Sequence, residues 1–172
     1  MKKRLIALLS VLSALLLVCV DLQAQRNPRA TAKFEKGGQF VIIEYGRPSL
    51  KGRDMFAQLQ AGKIWRLGAD KSTTLTCSSN ISFGKTLIPQ GSYSLWLRKV
   101  DDKNYQLLFN KTTGQWGTEH DVTQDMAAVL LDMSQSSESV EQFTISFKEA
   151  PKGGEVDLLW GTVVLKAPFQ FK

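Results

Sequence analysis

The sequence predicts an all-β protein, an antiparallel β-sandwich of jelly-roll or immunoglobulin-like type with one short covering helix. Short runs rich in Val, Ile, Thr and aromatic residues recur along the chain. Within several of these runs apolar and polar residues alternate with period two, which places alternate side chains on opposite faces of a strand. Residues that favour turns, such as Gly, Pro, Asp and Asn, separate the runs. Together these features are typical of two stacked sheets that bury one face each.

Ten runs are predicted as strands, and one pair of them forms the clearest hairpin. Tyr93, Leu95 and Leu97 alternate with polar or aromatic residues in the first strand of that pair, and the loop Asp101-Asp102-Lys103-Asn104 leads into the second. The predicted strands cover residues 39–45, 72–78, 81–83, 86–88, 92–98, 105–110, 127–133, 142–147, 156–160 and 162–169.

The remaining elements follow from local signals. Residues 54–61 are predicted as the covering helix, because Asp54 can cap its start and Gly62 can end it. Gly161 is predicted to form a tight turn or a bulge between the last two strands. The polar run 134–139 is predicted as a mobile loop.

The N-terminus has the pattern of a secretory signal peptide. Three basic residues precede an apolar run over residues 5–20, and Leu22 and Ala24 suit positions −3 and −1 of a cleavage site. The run is shorter than the roughly 20 residues that a spanning helix needs. A lipoprotein anchored through Cys19 is disfavoured, because Val18 stands where a small residue is required. We therefore expect a periplasmic or secreted protein with no membrane span after cleavage.

These signals divide the chain into three parts: a signal peptide over 1–24, a flexible mature N-terminus over 25–38 and a single β-sandwich domain over 39–172. Removing three basic residues and one acidic residue with the signal peptide lowers the formal net charge from +6 to +4. The remaining charges are interspersed, so a nucleic-acid partner is not predicted. Cys77 alone survives cleavage, which excludes an internal disulfide in the mature chain.

No Walker loop, dinucleotide fingerprint, HExxH, paired CxxC or GxSxG motif occurs in the sequence. One formal SxxK match, at residues 82–85, lies at the end of a predicted strand and is treated as coincidence. His120 is the only histidine, and it lies between Glu119 and Asp121 with Asp125 nearby. Adjacent residues on an extended segment point to opposite faces, so this group is not predicted to bind a metal. No cofactor, metal or catalytic residue is assigned, although a hydrolase using this segment remains one hypothesis.

Aromatic and basic residues that suit ligand binding occur in three blocks of the sequence. Indoles stack on rings, and guanidinium groups offer planar donors to carboxylates, phosphates or sugars. In a sandwich the same residues also close the ends of the core, so a structural role is the competing interpretation. The candidate ligand-binding residues are Arg47, Lys51, Arg53, Trp65, Arg66, Asn110 and Trp116.

Several sequence blocks, in order, resemble a bacterial family known as domain of unknown function 2911. The blocks are YGRPSLKGRDMF, GKIWRLGADKSTTLT, TLIPQGSYSLW, LLFNKTTGQWG and FTISF. The resemblance covers about residues 40–169 and implies an exported β-sandwich with no established activity. The family residues that the chain carries are Arg47, Pro48, Lys51, Gly52, Arg53, Trp65, Arg66, Gly68, Ala69, Thr74, Pro89, Gly91, Tyr93, Asn110, Trp116 and Gly117. Asp70 departs from the family pattern, which often has Asn.

Three functional hypotheses follow from the sequence. The first is a non-enzymatic binding module for a small anionic or carbohydrate ligand. The second is a structural or interaction protein, in which Arg47 or Arg53 pairs with an acid such as Asp54 or Glu44. The third is the hydrolase that uses residues 119–121. The sequence makes no prediction of oligomeric state.

Overall fold

A computed structural model describes residues 27–172. The predicted signal peptide, its cleavage site and Cys19 lie outside the described residues. In the part of the chain that is described, no helix has the length and apolar character needed to cross a membrane.

The described chain consists of ten strands, one short α-helix and one 3-10 helix. In chain order they are β1 Arg29–Lys36, β2 Gln39–Gly46, α1 Met55–Gln58, β3 Ile64–Trp65, β4 Thr73–Cys77, β5 Ile81–Phe83, β6 Thr86–Ile88, β7 Gly91–Lys99, β8 Tyr105–Asn110, the 3-10 helix Val122–Gln124, β9 Asp125–Ala150 and β10 Gly153–Phe171.

The strands form two layers that share the long strand β9. The first layer has the order β1-β2-β4-β7-β8-β9, with β3 paired to β7, and the second layer continues through β10, β5 and β6. Every strand pairing among these elements is antiparallel. Phe34 of β1 meets Phe169 of β10 edge-on at 5.4 Å, so aromatic rings from the two layers pack against each other.

The predicted all-β antiparallel sandwich is confirmed, and its core lies where the alternation placed it. Leu95, Phe109, Ile145 and Leu158 are all buried. The predicted central hairpin is β7–β8, in register from Ser94 opposite Asn110 to Lys99 opposite Tyr105.

The predicted covering helix is present but shorter than residues 54–61. Asp54 caps it as expected, since its carboxylate accepts a hydrogen bond of 2.9 Å from the backbone N–H of Ala57. Leu59 has extended backbone angles, which end the helix at Gln58. Gly62 lies in the turn beyond and does not define the end.

The prediction of a mobile loop at residues 134–139 is wrong. These residues lie within β9, which joins the two predicted strands 127–133 and 142–147 into one element. Ser134 and Gln135 pair with Val164 and Val163 of β10. Pairing with β10 therefore holds the first two residues of this polar stretch, and residues 136–139 stand opposite the register shift between Gly161 and Val163. Gly161, at φ 63°, lies between two register shifts whose extra residues, 141–143 and 136–139, belong to β9, so the bulge lies in β9 opposite Gly161 and not in β10.

The sandwich begins at Arg29 and not at Gln39, which corrects the expectation of a flexible segment over 25–38 for residues 29–36. This stretch forms β1, an edge strand paired along its whole length with β2. The outward face of β1 is charged, and Lys33 Nζ lies 2.7 Å from Glu35 Oε1. Because charged residues occupy this face, the pattern of apolar residues did not indicate a strand here. Gly37 and Gly38 both have positive φ and form the two-residue hairpin turn.

Candidate functional site

Strand β7 buries both of its faces, although only one of them belongs to the core between the layers. Leu95 and Leu97 point inward, while Ser94 and Trp96 point outward and are nevertheless 0% and 2% exposed. The segment 111–121 after β8, which we call the covering segment, folds back over this outer face. Gln115 holds it there, because its side-chain amide donates a 3.0 Å hydrogen bond to the Ser94 hydroxyl.

The indole of Trp96 is fixed from two sides. Its Nε1 donates a hydrogen bond of 2.9 Å to Ser94 Oγ. The imidazole of His120 lies against the indole with ring centroids 4.5 Å apart and planes inclined by 38°. The orientation of this aromatic pair is therefore set by groups from β7 and from the covering segment.

His120 is oriented by Asp125 at the start of β9. His120 Nε2 lies 2.8 Å from Asp125 Oδ1, and both side chains are largely buried. The same oxygen accepts a 2.8 Å hydrogen bond from the side-chain amide of Asn110, which also donates to the backbone oxygen of Asp121. Asn110 is fully buried, so this network anchors the base of the covering segment.

A cavity of about 320 Å³ opens beside this network, between β3 and the covering segment. We call it the outer-face cavity. Arg66 packs closely on the covering segment here, because a Cβ atom added at Gly117 would lie 2.6 Å from Arg66 Cδ. The residues that line the cavity are Ile64, Trp65, Arg66, Trp96, Gly117, Thr118 and His120.

The charge of Arg66 has no acidic partner at this cavity. Among residues 27–172, Arg66 forms no ion pair and its guanidinium donates no hydrogen bond to a protein group. Trp116, the residue before Gly117, is 46% exposed, which is unusual for the largest apolar side chain. An unpaired cation therefore lines the cavity, and the residue before its lining residue Gly117 is an exposed tryptophan.

The structure separates the predicted ligand-binding residues into three groups. Arg66 lines the outer-face cavity, and Trp116 directly precedes its lining residue Gly117 in the chain. Asn110 and Arg47 form hydrogen bonds that stabilise the fold. Asn110 belongs to the network with Asp121 and Asp125. Arg47 donates hydrogen bonds to the Phe143 carbonyl at 3.2 Å and to the Thr144 hydroxyl at 3.0 Å.

The other three predicted residues lie toward the second layer. Trp65 points inward and stacks on Trp160. Lys51 and Arg53 occupy the exposed turn before α1, where Arg53 donates to the Leu50 and Ser49 carbonyls. The ion pairs of Arg47 or Arg53 with Asp54 or Glu44 that the structural hypothesis invoked are not formed within residues 27–172.

The segment proposed for a hydrolase does not converge around His120. Glu119 accepts a 3.4 Å contact from the Trp116 backbone N–H. Asp121 caps the 3-10 helix by accepting hydrogen bonds from the Thr123 hydroxyl and N–H, and these bonds hold the pKa of Asp121 below its ordinary value. The partner of His120 is Asp125. Over the described range, no group of three or more His, Cys, Asp or Glu side chains is arranged to hold a metal ion.

A family model described as "Protein of unknown function (DUF2911)" matches residues 27–169, which is most of the chain. The chain belongs to this family. Comparison with curated proteins and with solved structures finds no match.

Four residues that build the site in this DUF2911 protein were not among the ligand-binding residues predicted from the sequence. Ser94 and Gln115 carry no motif of their own, and Asp125 is separated from His120 by a helical turn. Trp96 did carry a signal, because an indole on the polar face of a strand indicates that something covers that face. The residues that were missed as members of the site are Ser94, Trp96, Gln115 and Asp125.

Proposed function

We propose that this protein is exported to the periplasm or the medium and acts there as a non-enzymatic binding module for a small anionic ligand. The basic, apolar and small-residue order of residues 1–24 supports export. The outer-face cavity supports ligand binding. The observation that carries the proposal is the unpaired guanidinium of Arg66 at that cavity.

Arg66 suits an anion for a physical reason. A guanidinium group stays charged at all physiological pH values and presents several N–H donors in one plane, which match a carboxylate or phosphate. Its aliphatic stem is held against the backbone at Gly117, which restricts where the charged end can lie. A positioned donor loses less conformational entropy on binding than a free one.

A carbohydrate ring is the second candidate ligand, and the exposed indole of Trp116 favours it. Flat aromatic faces bind the apolar faces of rings, while the polar edges of the ring take up nearby donors. Trp96 offers a second ring, but His120 already covers part of it at a centroid distance of 4.5 Å. The sugar hypothesis therefore depends on Trp116, whereas the anion hypothesis depends on Arg66.

Acid–base catalysis is a competing function, and the contact between His120 and Asp125 is what favours it. A carboxylate that orients an imidazole is a common arrangement in hydrolases. Here Asp125 Oδ1 also serves Asn110, and Ser94, the buried hydroxyl beside Trp96, is engaged by both Trp96 and Gln115. The arrangement thus serves to hold the covering segment, and we assign His120 a structural role.

Isothermal titration calorimetry of the protein, produced from its full sequence, tests the proposal with glucuronate, succinate and glucose. If the ligand is anionic, glucuronate and succinate bind and glucose does not. Arg66→Gln weakens that binding by about tenfold, the effect of losing one charged hydrogen bond. The matched control is Lys85→Gln, which removes an exposed cation from the β5–β6 turn.

Other outcomes separate the alternatives. Binding of glucose as tight as that of glucuronate, lost in Trp116→Ala and kept in Arg66→Gln, replaces the anion by a carbohydrate. Turnover in a panel of nitrophenyl esters and glycosides, abolished in both His120→Ala and Asp125→Asn, makes the protein a hydrolase. Absence of binding to all three probes and of turnover leaves the structural or interaction role.

A further inference from the structure

A second cavity, of about 250 Å³, lies beneath helix α1 and opens partly to solvent. We call it the α1 pocket. Trp65 is the one residue that lines both this pocket and the outer-face cavity. The residues that line the α1 pocket are Met55, Phe56, Gln58, Leu59, Trp65 and Trp160.

The walls of this pocket are held by contacts on both sides. Trp65 and Trp160 stack with ring centroids 5.1 Å apart and planes 18° apart. Phe143 meets Trp65 edge-on at 5.0 Å. On the opposite wall, α1 is fixed by the Asp54 cap and by Phe56, which is buried edge-on against Tyr105 at 5.7 Å.

The α1 pocket is a partly open, largely apolar depression beside the packed core. Protein interiors are packed as densely as organic crystals, and voids larger than a water molecule are few. Another cavity, of about 200 Å³, adjoins the α1 pocket and shares Met55, Phe56 and Trp160 with it. Met55 and Leu59 have flexible side chains that adapt to the shape of an apolar ligand.

We propose that the α1 pocket binds a single alkyl chain of an uncharged amphiphile. The lining contains no charged residue, and the amide of Gln58 is its one polar side chain. A charged group would lose its hydration in such a lining without gaining a partner, whereas a chain of methylene groups gains by leaving water.

An aromatic ligand fits this pocket less well. One face of each indole is occupied by the stacking of Trp65 on Trp160, and Phe143 makes edge-type contacts with both rings. Met55 and Leu59 add flexible aliphatic side chains to the lining. Such a surface suits a flexible chain better than a flat ring.

The charges next to the pocket also favour an uncharged head group. Arg53 and Asp54 line the adjoining cavity together, and their charges are opposite. An anionic head group is attracted by the first and repelled by the second, so it gains little over a neutral one. Neither the outer-face cavity nor Arg66 takes part, and the proposal stands apart from the proposed function.

Binding of decyl alcohol to the protein, produced from its full sequence, tests this inference. A decyl alcohol with bromine at the far end of the chain is expected to quench tryptophan fluorescence, because the chain lies against Trp65 and Trp160. The variant Met55→Phe/Leu59→Phe fills the pocket and is expected to weaken binding by about tenfold or more, the effect of losing room for two or more methylene groups. The matched control, Leu87→Phe, enlarges an exposed leucine of β6 and is expected to bind as the wild type does.

Circular dichroism of the double variant establishes that it is folded, and the single variant Leu59→Phe provides a milder filling if it is not. Equal binding to the filled variants and to the wild type overturns the proposal, as does absence of binding to the wild type. Decanoate or naphthalene binding more tightly than decyl alcohol also overturns it, because the ligand would then be an anion or a ring. Retained glucuronate binding in the filled variant keeps this test separate from that of the outer-face cavity.

Discussion

The hydroxyl of Tyr45 bonds to both backbone groups of Ile145. It accepts a 2.9 Å hydrogen bond from the Ile145 N–H and donates one of 3.3 Å to the Ile145 carbonyl. Tyr45 belongs to β2 in the first layer and Ile145 to the second-layer part of β9. The Tyr45 hydroxyl thus makes the pair of backbone hydrogen bonds that a neighbouring strand would otherwise make, and it links the two layers.

Tyr45→Phe is expected to lower the free energy of unfolding by about 1–3 kcal/mol, because it leaves the buried Ile145 N–H without a partner. Urea denaturation followed by fluorescence measures the change. The control is Tyr105→Phe, a buried tyrosine whose hydroxyl makes no hydrogen bond within residues 27–172, for which we expect a change below about 0.5 kcal/mol. Equal effects of the two substitutions would contradict the assignment.

Asp125→Ala is expected to destabilise the protein by about 1–3 kcal/mol, because Asn110 and His120 lose their shared acceptor in a largely buried site. The covering segment should also become more mobile, which hydrogen exchange at residues 111–121 measures. Asp132→Ala, an exposed carboxylate on the same strand, is the control. If both variants exchange at the same rate, Asp125 does not anchor the segment.

Gly117→Ala is expected to cost about 1–3 kcal/mol and to weaken anion binding at the outer-face cavity, because the new methyl group overlaps Arg66 Cδ and lies 2.8 Å from the Asp70 carbonyl. Differential scanning calorimetry and titration with glucuronate measure the two effects. Thr113→Ala in the same segment is the control. A stable variant with unchanged binding would mean that Gly117 does not position Arg66.

Stability is expected to fall in acid partly through Asp101 and Asp121. Hydrogen bonds lower the pKa of both, chiefly from the Asn104 side chain for Asp101 and from the Thr123 hydroxyl for Asp121. A lowered folded-state pKa contributes stability above the unfolded value of about 3.9, and this contribution is lost as the pH falls through the folded-state pKa. The double variant Asp101→Asn/Asp121→Asn should therefore show a shallower loss of urea resistance below about pH 4 than the wild type does, and equal pH profiles of the two proteins would contradict this.

Export is expected to yield a mature protein that begins at Gln25. Mass spectrometry of the intact protein, recovered from the periplasm or the medium of a bacterial host, measures the N-terminus. Ala24→Arg, which places a large charged residue at the cleavage position, should block processing, and Gln25→Asn should not. An unprocessed wild-type chain found in the cytoplasm would contradict the proposed localisation.

Local patterns were sufficient for most of the fold. The alternation in β7 and β8, the turn residues between them and the Asp54 cap each act within a few residues, so they can be recognised without the rest of the chain. The same logic failed at residues 134–139, because Ser134 and Gln135 are held in β9 by pairing with Val164 and Val163 of β10. It also failed at β1, where exposed charges mask two buried positions, although Gly37-Gly38 marked the turn.

The sequence by itself determined that this protein is all-β, which side chains of its hairpin face the core, and the family to which it belongs. Only the tertiary structure decided that His120 takes Asp125 as its partner, that the covering segment buries Trp96 and brings Gly117 against Arg66, and that Trp65 stacks on Trp160. The reason is physical. Periodicity reports the environment of one element, whereas each of these contacts depends on how a loop or a strand packs against residues distant in the chain.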